Sequence, residues 1–150
     1  MSLLVHPHKT LSTPTTNVES VQEALELEKA LRTSIVKDCT WGKCVGLASN
    51  QIGLKKSAFI ARGKFYANPR ITWYSGDKHK FTEGCYSLKG RQFTVERSGS
   101  VMLSWLDNKL KPHFKRFDGF SAQVIQHEMD HLLGFTIKER QDELLATTTK

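Results

Sequence analysis

The sequence predicts an α+β fold: antiparallel β-sheets surrounding a central metal-binding α-helix, with a packing helix near the N-terminus. Three observations predict it. An amphipathic helical stretch comes first, short apolar segments separated by turn residues fill the middle, and a second helical stretch near the end holds His127, Glu128 and His131 as H-E-x-x-H. The 150 residues allow one domain, 1–150, with a real core.

Composition narrows the class. Hydrophobic and charged contents of 39% and 25% fit a soluble globular protein. No apolar run is long enough to span a bilayer, and the N-terminus has neither a secretory layout nor an Arg-rich transit pattern, so a cytoplasmic location is expected. Cys39, Cys44 and Cys85 are odd in number and irregularly spaced, which argues against a disulfide framework. The net charge of +7 and pI near 9.4 favour polyanionic neighbours, a nucleic acid or a ribosome surface, or serve solubility alone. Basic clusters at Lys55-Lys56, Lys78 to Lys80 and Lys109 to Arg116 read as solvated surface.

In chain order, Met1 to Asn17 reads as an extended arm anchored by Leu3, Leu4 and Val5, with Pro7 and Pro14 barring a helix and His6 and His8 exposed. Asn17 or Ser20 caps a helix from about Val18 to Lys37 whose apolar positions are Val21, Leu25, Leu31 and Ile35. Cys44 to Gly53 is built of small residues, which lets backbone approach another element or a ligand closely, with Gln51 beside it. Ser57 to Ala61 reads as a strand, and Phe65 to Ile71 is interrupted by an Asn68-Pro69 turn. Ile71 to Tyr74, Phe81 to Leu88, Phe93 to Val95 and Val101 to Leu106 read as extended, with turns at Ser75 to Asp77 and Asp107-Asn108. Asp118-Gly119 is a further turn, Ser121 caps the second helix, and Gly134 ends it. Phe135 to Ile137 reads as a short strand before a partly helical tail.

Positions i and i+4 of a helix lie on nearly one face, so His127 and His131 can share one divalent metal, with Glu128 in reach of water held there. A third ligand is needed. Ile137 stands where one H-E-x-x-H pattern places a further His, and Glu139 and Glu143 follow too soon to return on a separate helix. The ligand therefore comes from upstream. Cys85 is the best candidate, ahead of His79 and His113, because a thiolate suits borderline or soft metals. On an extended segment Glu83, Cys85 and Ser87 share a face, which puts Glu83 where it accepts the outer N–H of a ligating imidazole.

Three stretches together resemble the peptide deformylase family: Cys44 to Gln51 against its Gly-x-Gly-x-Ala-Ala-x-Gln, Glu83-Gly84-Cys85-Tyr86-Ser87 against Glu-Gly-Cys-x-Ser, and Gln126 to His131 against Gln-His-Glu-x-Asp-His. Cys44, Ser49 and Tyr86 depart from the usual residues, and the tail is short. The resemblance implies removal of the formyl group from N-formylmethionyl peptides. It implies Cys85, His127 and His131 as metal ligands, Glu128 as general base, and the Gln51 amide and Tyr86 N–H as oxyanion donors. It further implies Val45, Gly46 and Val124 at the substrate peptide, and Arg97 bracing the metal helix, paired here with Asp130. The implied metal is Fe(II) in cells, with Zn, Ni or Co accepted. The implied partners are nascent formylated peptides and a transient ribosome contact, with no membrane and no specific DNA. Compact members occur in phages, for which the location is the host cytoplasm. Two alternatives from other classes stay open: a metallopeptidase of the H-E-x-x-H type, and a non-catalytic basic adaptor for ribosome or RNA.

Overall fold

The computed structural model describes residues 3–5, 8–38, 45–88 and 91–148; Cys39, Cys44 and His6, singled out above, lie outside them. Among the described residues three α-helices, α1 (Val21–Asp38), α2 (Gly119–Leu132) and α3 (Ile137–Thr148), accompany seven strands. These are β1 (Gly46–Ala48), β2 (Ala58–Ala61), β3 (Lys64–Tyr74), β4 (Lys78–Gly84), β5 (Gln92–Ser98), β6 (Ser100–Leu106) and β7 (Pro112–Asp118). A five-stranded sheet runs β1-β2-β3-β6-β7, and β4 pairs with β5; every pairing is antiparallel.

Strand periodicity explains the layering. In β2, Phe59 and Ala61 join one core cluster with Ala122, Val124, Ile125 and Met129 of α2. Ala58 and Ile60 join a second with Ala24, Leu27 and Leu31 of α1. Successive side chains of a strand point to opposite faces. The whole of β2 is therefore buried, with α1 on one face of the sheet and α2 on the other. The far side of α2 meets the β4–β5 hairpin, so the helix is central, as its pattern predicts. Gln126 fixes that contact: its Oε1 accepts from Ser98 N at 2.9 Å, and its Nε2 donates to Ser98 O at 2.8 Å. Among the described residues no helix is long and apolar enough to cross a membrane.

Several expectations are corrected. In α1 the buried positions are Ala24, Leu27, Leu31 and Ser34, whereas Val21 and Leu25 are 42% and 49% exposed. The helix turns to the sheet a face that mixes Leu27 and Leu31 with the small Ala24 and Ser34. Of the two proposed caps it is Ser20 whose Oγ accepts from Glu23 N, at 3.1 Å. Asn68-Pro69 makes no turn. It is a bulge inside β3, with Asn68 at φ 46°. The Asn68 side chain accepts from Val18 N at 2.7 Å and donates to Val18 O at 2.9 Å, so the bulge fastens the start of α1 to the sheet. The second helix begins at Gly119, with Asp118 rather than Ser121 at the N-cap position. Gly119 at φ 59° takes the sharp bend directly from β7 into the helix. Gly134 ends α2 at φ 87°. Residues 135–137 form no strand, since Ile137 already begins α3.

Candidate metal centre

The extended segment expected through Leu88 ends early. β4 stops at Gly84, and Tyr86–Leu88 forms a 3-10 turn, closed by Leu88 N donating to Cys85 O at 2.9 Å. Cys85 therefore sits at a corner, not on a strand, and the corner delivers its thiol to α2. Its Sγ lies 3.3 Å from His131 Nε2. One turn earlier His127 presents its ring at a centroid distance of 5.0 Å from that of His131. The ligand atoms of Cys85, His127 and His131 all lie within 4.8 Å of one another.

Glu83 is the hub behind these ligands. Its Oε1 lies 3.0 Å from His127 Nδ1 and accepts from Arg97 Nη2 at 2.9 Å. Its Oε2 accepts from Arg97 Nε at 3.2 Å and from Gln123 Nε2 at 3.0 Å. Occupying Nδ1 leaves His127 Nε2 as the free ring nitrogen. These partners offset burial and hold the Glu83 carboxyl at about 2; burial alone raises it, and the hydrogen bonds from His127 and Arg97 more than reverse this. Arg97, 3% exposed, also donates through Nη1 to Asp130 Oδ2 at 2.5 Å, so the expected brace is a buried pair. Arg140 of α3 completes the chain, donating through Nη2 to Asp130 Oδ1 at 2.8 Å.

Glu128 occupies the opposite environment. It is buried, and its Oε1 has no hydrogen-bond partner among the described residues. Burial, with the Cys85 and Glu83 charges added, pushes its carboxyl up to about 7 against the opposing pull of His127 and His131. Gly46 explains how the carboxylate fits: a Cβ on that residue would overlap Glu128 Oε2 and Cδ. Close approach of backbone to a functional side chain is thus the reason for this glycine. Gln51 follows in the 3-10 turn Ser49–Ile52. Its Oε1 accepts from Ala48 N at 2.9 Å, which fixes the amide and aims Nε2 at Cys85 Sγ, 3.4 Å away, and at Ser87 Oγ, 3.2 Å away.

The donor set fits a divalent cation. Burial would raise the Cys85 thiol, but the His131 charge and hydrogen bonds from His127 and His131 bring it well below its ordinary value. A thiolate and two imidazoles converging on one point are the deprotonated donors a metal takes. His131 Nδ1 and Asn50 Oδ1 are further buried polar atoms with no hydrogen-bond partner among the described residues.

Of the residues expected at the site, Cys85, His127, His131, Glu128, Gln51 and Gly46 are brought together. Tyr86 begins the turn beside Cys85. Val45 is 42% exposed just before β1, while Val124 is 4% exposed and packs in the core on the Glu128 side of α2. His79 and His113 pair with Asp77 and Asp107 away from the centre. Sequence reading missed Gln123, Asn50 and Arg140. Gln123 precedes His127 by one helical turn, a spacing that signals a shared face. Asn50 Nδ2 donates to His131 O, a contact that no spacing signals.

Comparison with known proteins agrees with this geometry. The profile of the family described as Polypeptide deformylase matches residues 1–146. A peptide deformylase of Phenylobacterium zucineum is 32% identical over 141 residues, covering 88% of this chain and 82% of that protein. The chain spans 66% and 53% of the lengths of two longer Prochlorococcus marinus peptide deformylases, at 30% and 36% identity. The structure of a probable peptide deformylase from Synechococcus phage S-SSM7 matches with TM-score 0.85 and 27% identity, over 93% of this chain and 99% of that one. A Plasmodium falciparum peptide deformylase shares the fold, with TM-score 0.88 at 24% identity over 98% and 93% of the two chains.

Proposed function

The chain belongs to the polypeptide deformylase family, and from that premise we propose that it hydrolyses the formyl group from N-formylmethionyl peptides, releasing formate, with Cys85, His127 and His131 holding one divalent metal. The observation that carries this reading is the juxtaposition of that three-ligand group with a buried Glu128 carboxylate, seated on Gly46, whose Oε1 has no hydrogen-bond partner among the described residues.

A divalent metal held by Cys85, His127 and His131 would supply Lewis acidity toward water and the formyl oxygen. The family precedent favours Fe(II) in cells, with Zn, Ni or Co able to substitute, and a site of one thiolate and two imidazoles suits each of them. Glu128, with a carboxyl near 7, takes a proton from water and returns it to the leaving amine. The Gln51 amide, fixed by Ala48 N, and the Tyr86 N–H donate to the oxyanion. Glu83 keeps His127 oriented through Nδ1.

The substrate peptide lies along β1. That strand ends the five-stranded sheet, so its edge away from β2 can take an added strand. Gly46 supplies backbone partners and Val45, exposed beside it, supplies an apolar wall; Val124 backs the wall from the core. The work is cytoplasmic, on nascent chains, with the basic surface favouring a transient ribosome contact.

The test is formate release from a formyl-Met peptide by anaerobically prepared Fe(II) protein, with metal analysis of the same sample. The expected result is one metal per chain and release that stops on chelation. Hydrolysis of internal amides in place of the formyl group, or a metal-loaded protein that cleaves neither, would overturn the reading.

A further inference from the structure

The basic cluster Lys109 to Arg116, which the catalytic site does not use, lies on β7 and the turn before it, at the other edge of the five-stranded sheet from β1. Cross-strand register shows what it builds. Arg70, Ser104 and Phe114 stand side by side across β3, β6 and β7, and Trp73, Met102 and Arg116 form the next row. The register shift between Ile71 and Trp73 puts Trp73 on this face. The alternate residues Val101 and Leu103 point the other way, into the core beneath α2. The outer face therefore carries two aromatic rings and two guanidinium groups on adjacent positions.

These rings are open to solvent: Trp73 is 43% and Phe114 is 64% exposed. The Arg116 guanidinium carbon stands 5.4 Å from the Trp73 ring centroid. Lys115 alternates to the opposite face, where its ammonium stands 5.3 Å from the Phe117 ring. Asp118 is the acid at the end of the grid, and it accepts from both Ser100 Oγ and Arg116 Nε. The chain as a whole carries +7.

We propose that this sheet face binds single-stranded RNA, with bases stacked on Trp73 and Phe114 and phosphates on Arg70 and Arg116. A flat antiparallel surface with exposed rings accepts unstacked bases, because every base has a π-face, and interleaved guanidinium groups pair with the backbone between them. Charge complementarity selects the occupant. Arg70, Ser104 and Arg116 interrupt the apolar surface of Trp73, Met102 and Phe114, and this mixed, positively charged face suits a stacked polyanion better than a lipid surface. A second copy of the face would set the same guanidinium groups against each other, which costs binding.

The experiment is fluorescence anisotropy of the metal-loaded full chain with a labelled oligouridylate of about 12 nucleotides, a length suited to a binding face of this size. Binding that weakens as salt rises is expected. Trp73→Ala and Phe114→Ala should each weaken it by about tenfold, with Trp73→Phe retaining most of it. Arg70→Glu combined with Arg116→Glu should flatten the salt dependence, by about 0.7 in slope for each phosphate left without its guanidinium. Deformylation of a formyl-Met peptide should be unchanged in all of these variants. Absence of binding at low salt would overturn the proposal, as would equal binding by folded Trp73→Ala and Phe114→Ala, which would reduce the effect to bulk charge. A dimer in sedimentation that dissolves on Phe114→Ala would assign the face to a second copy and overturn it as well.

Discussion

The two sides of α2 are built on opposite rules. Toward β5 and α3 the polar groups are paired: Glu83, Arg97, Asp130 and Arg140 form one chain of charge-assisted hydrogen bonds, with Gln123 and His127 also on Glu83. Toward β1 and the Cys85 corner the pairing is incomplete: Gln51 bonds to Ala48 N, Cys85 and Ser87, but Glu128 Oε1 and His131 Nδ1 are buried with no hydrogen-bond partner among the described residues. An isolated buried polar group is unfavourable, and left to itself it would rotate or draw in a partner. The paired side prevents this by fixing the helix and the His127 ring. Rigidity on one face thus maintains unmet bonding capacity on the other, which is what a metal and a reacting water require.

The comparison can be broken from either side, and the largest effect is expected on the unpaired one. Glu128→Ala should retain the metal while kcat falls by about 10²–10⁴, the range of general acid–base catalysis; steady-state formate release with metal analysis measures it, and full activity would remove Glu128 from the proton transfers. Arg97→Ala strikes the paired side by leaving Glu83 and Asp130 buried without their shared cation. It should cost about 3–5 kcal/mol in urea unfolding. In a double-mutant cycle with Asp130→Ala the losses should be strongly non-additive, and simple additivity would refute the brace. Gly46→Ala tests the contact of β1 with Glu128. Displacing the carboxylate should lower kcat by about 10²-fold with little change in KM, and an unaffected enzyme would show that the carboxylate does not need that seat. Glu83→Gln, which keeps the shape and removes the charge, should weaken metal affinity by about 10–100-fold in chelator competition. The smallest effect belongs to Gln123→Ala: losing one of several donors to Glu83 should cost about 0.5–1.5 kcal/mol.

What was legible in the sequence follows the same division. The ligands and the base were legible because a helix sets i, i+4 geometry within five residues, and the hairpin connection was legible from Asp107-Asn108. The face of α1 was not. Val21 and Leu25 are larger and more apolar than Ala24 and Ser34, yet packing against the sheet buries Ala24 and Ser34 together with Leu27 and Leu31. Asn68-Pro69 has turn chemistry, but its side-chain bonds to Val18, a residue 50 positions away, turn it into a bulge. Cys85 was found by elimination and placed on a strand. The 3-10 corner that delivers it depends on tertiary packing of Leu88 with Phe93, Val95 and Ile137. The polar chain behind the helix is half visible: the sequence pairs Arg97 with Asp130, but Arg140 joins it through α3, whose local pattern reads only as a polar, partly helical tail.

The central claim is that one face of α2, completed by Cys85, is a thiolate–imidazole metal site while Glu128 is not a ligand. The most direct measurement is the absorption spectrum of the Co(II)-substituted protein beside Cys85→Ser and Glu128→Ala. The account predicts a thiolate-to-cobalt charge-transfer band in the unaltered protein, its loss in Cys85→Ser and its retention in Glu128→Ala. A band that survives in Cys85→Ser, or disappears in Glu128→Ala, would contradict it.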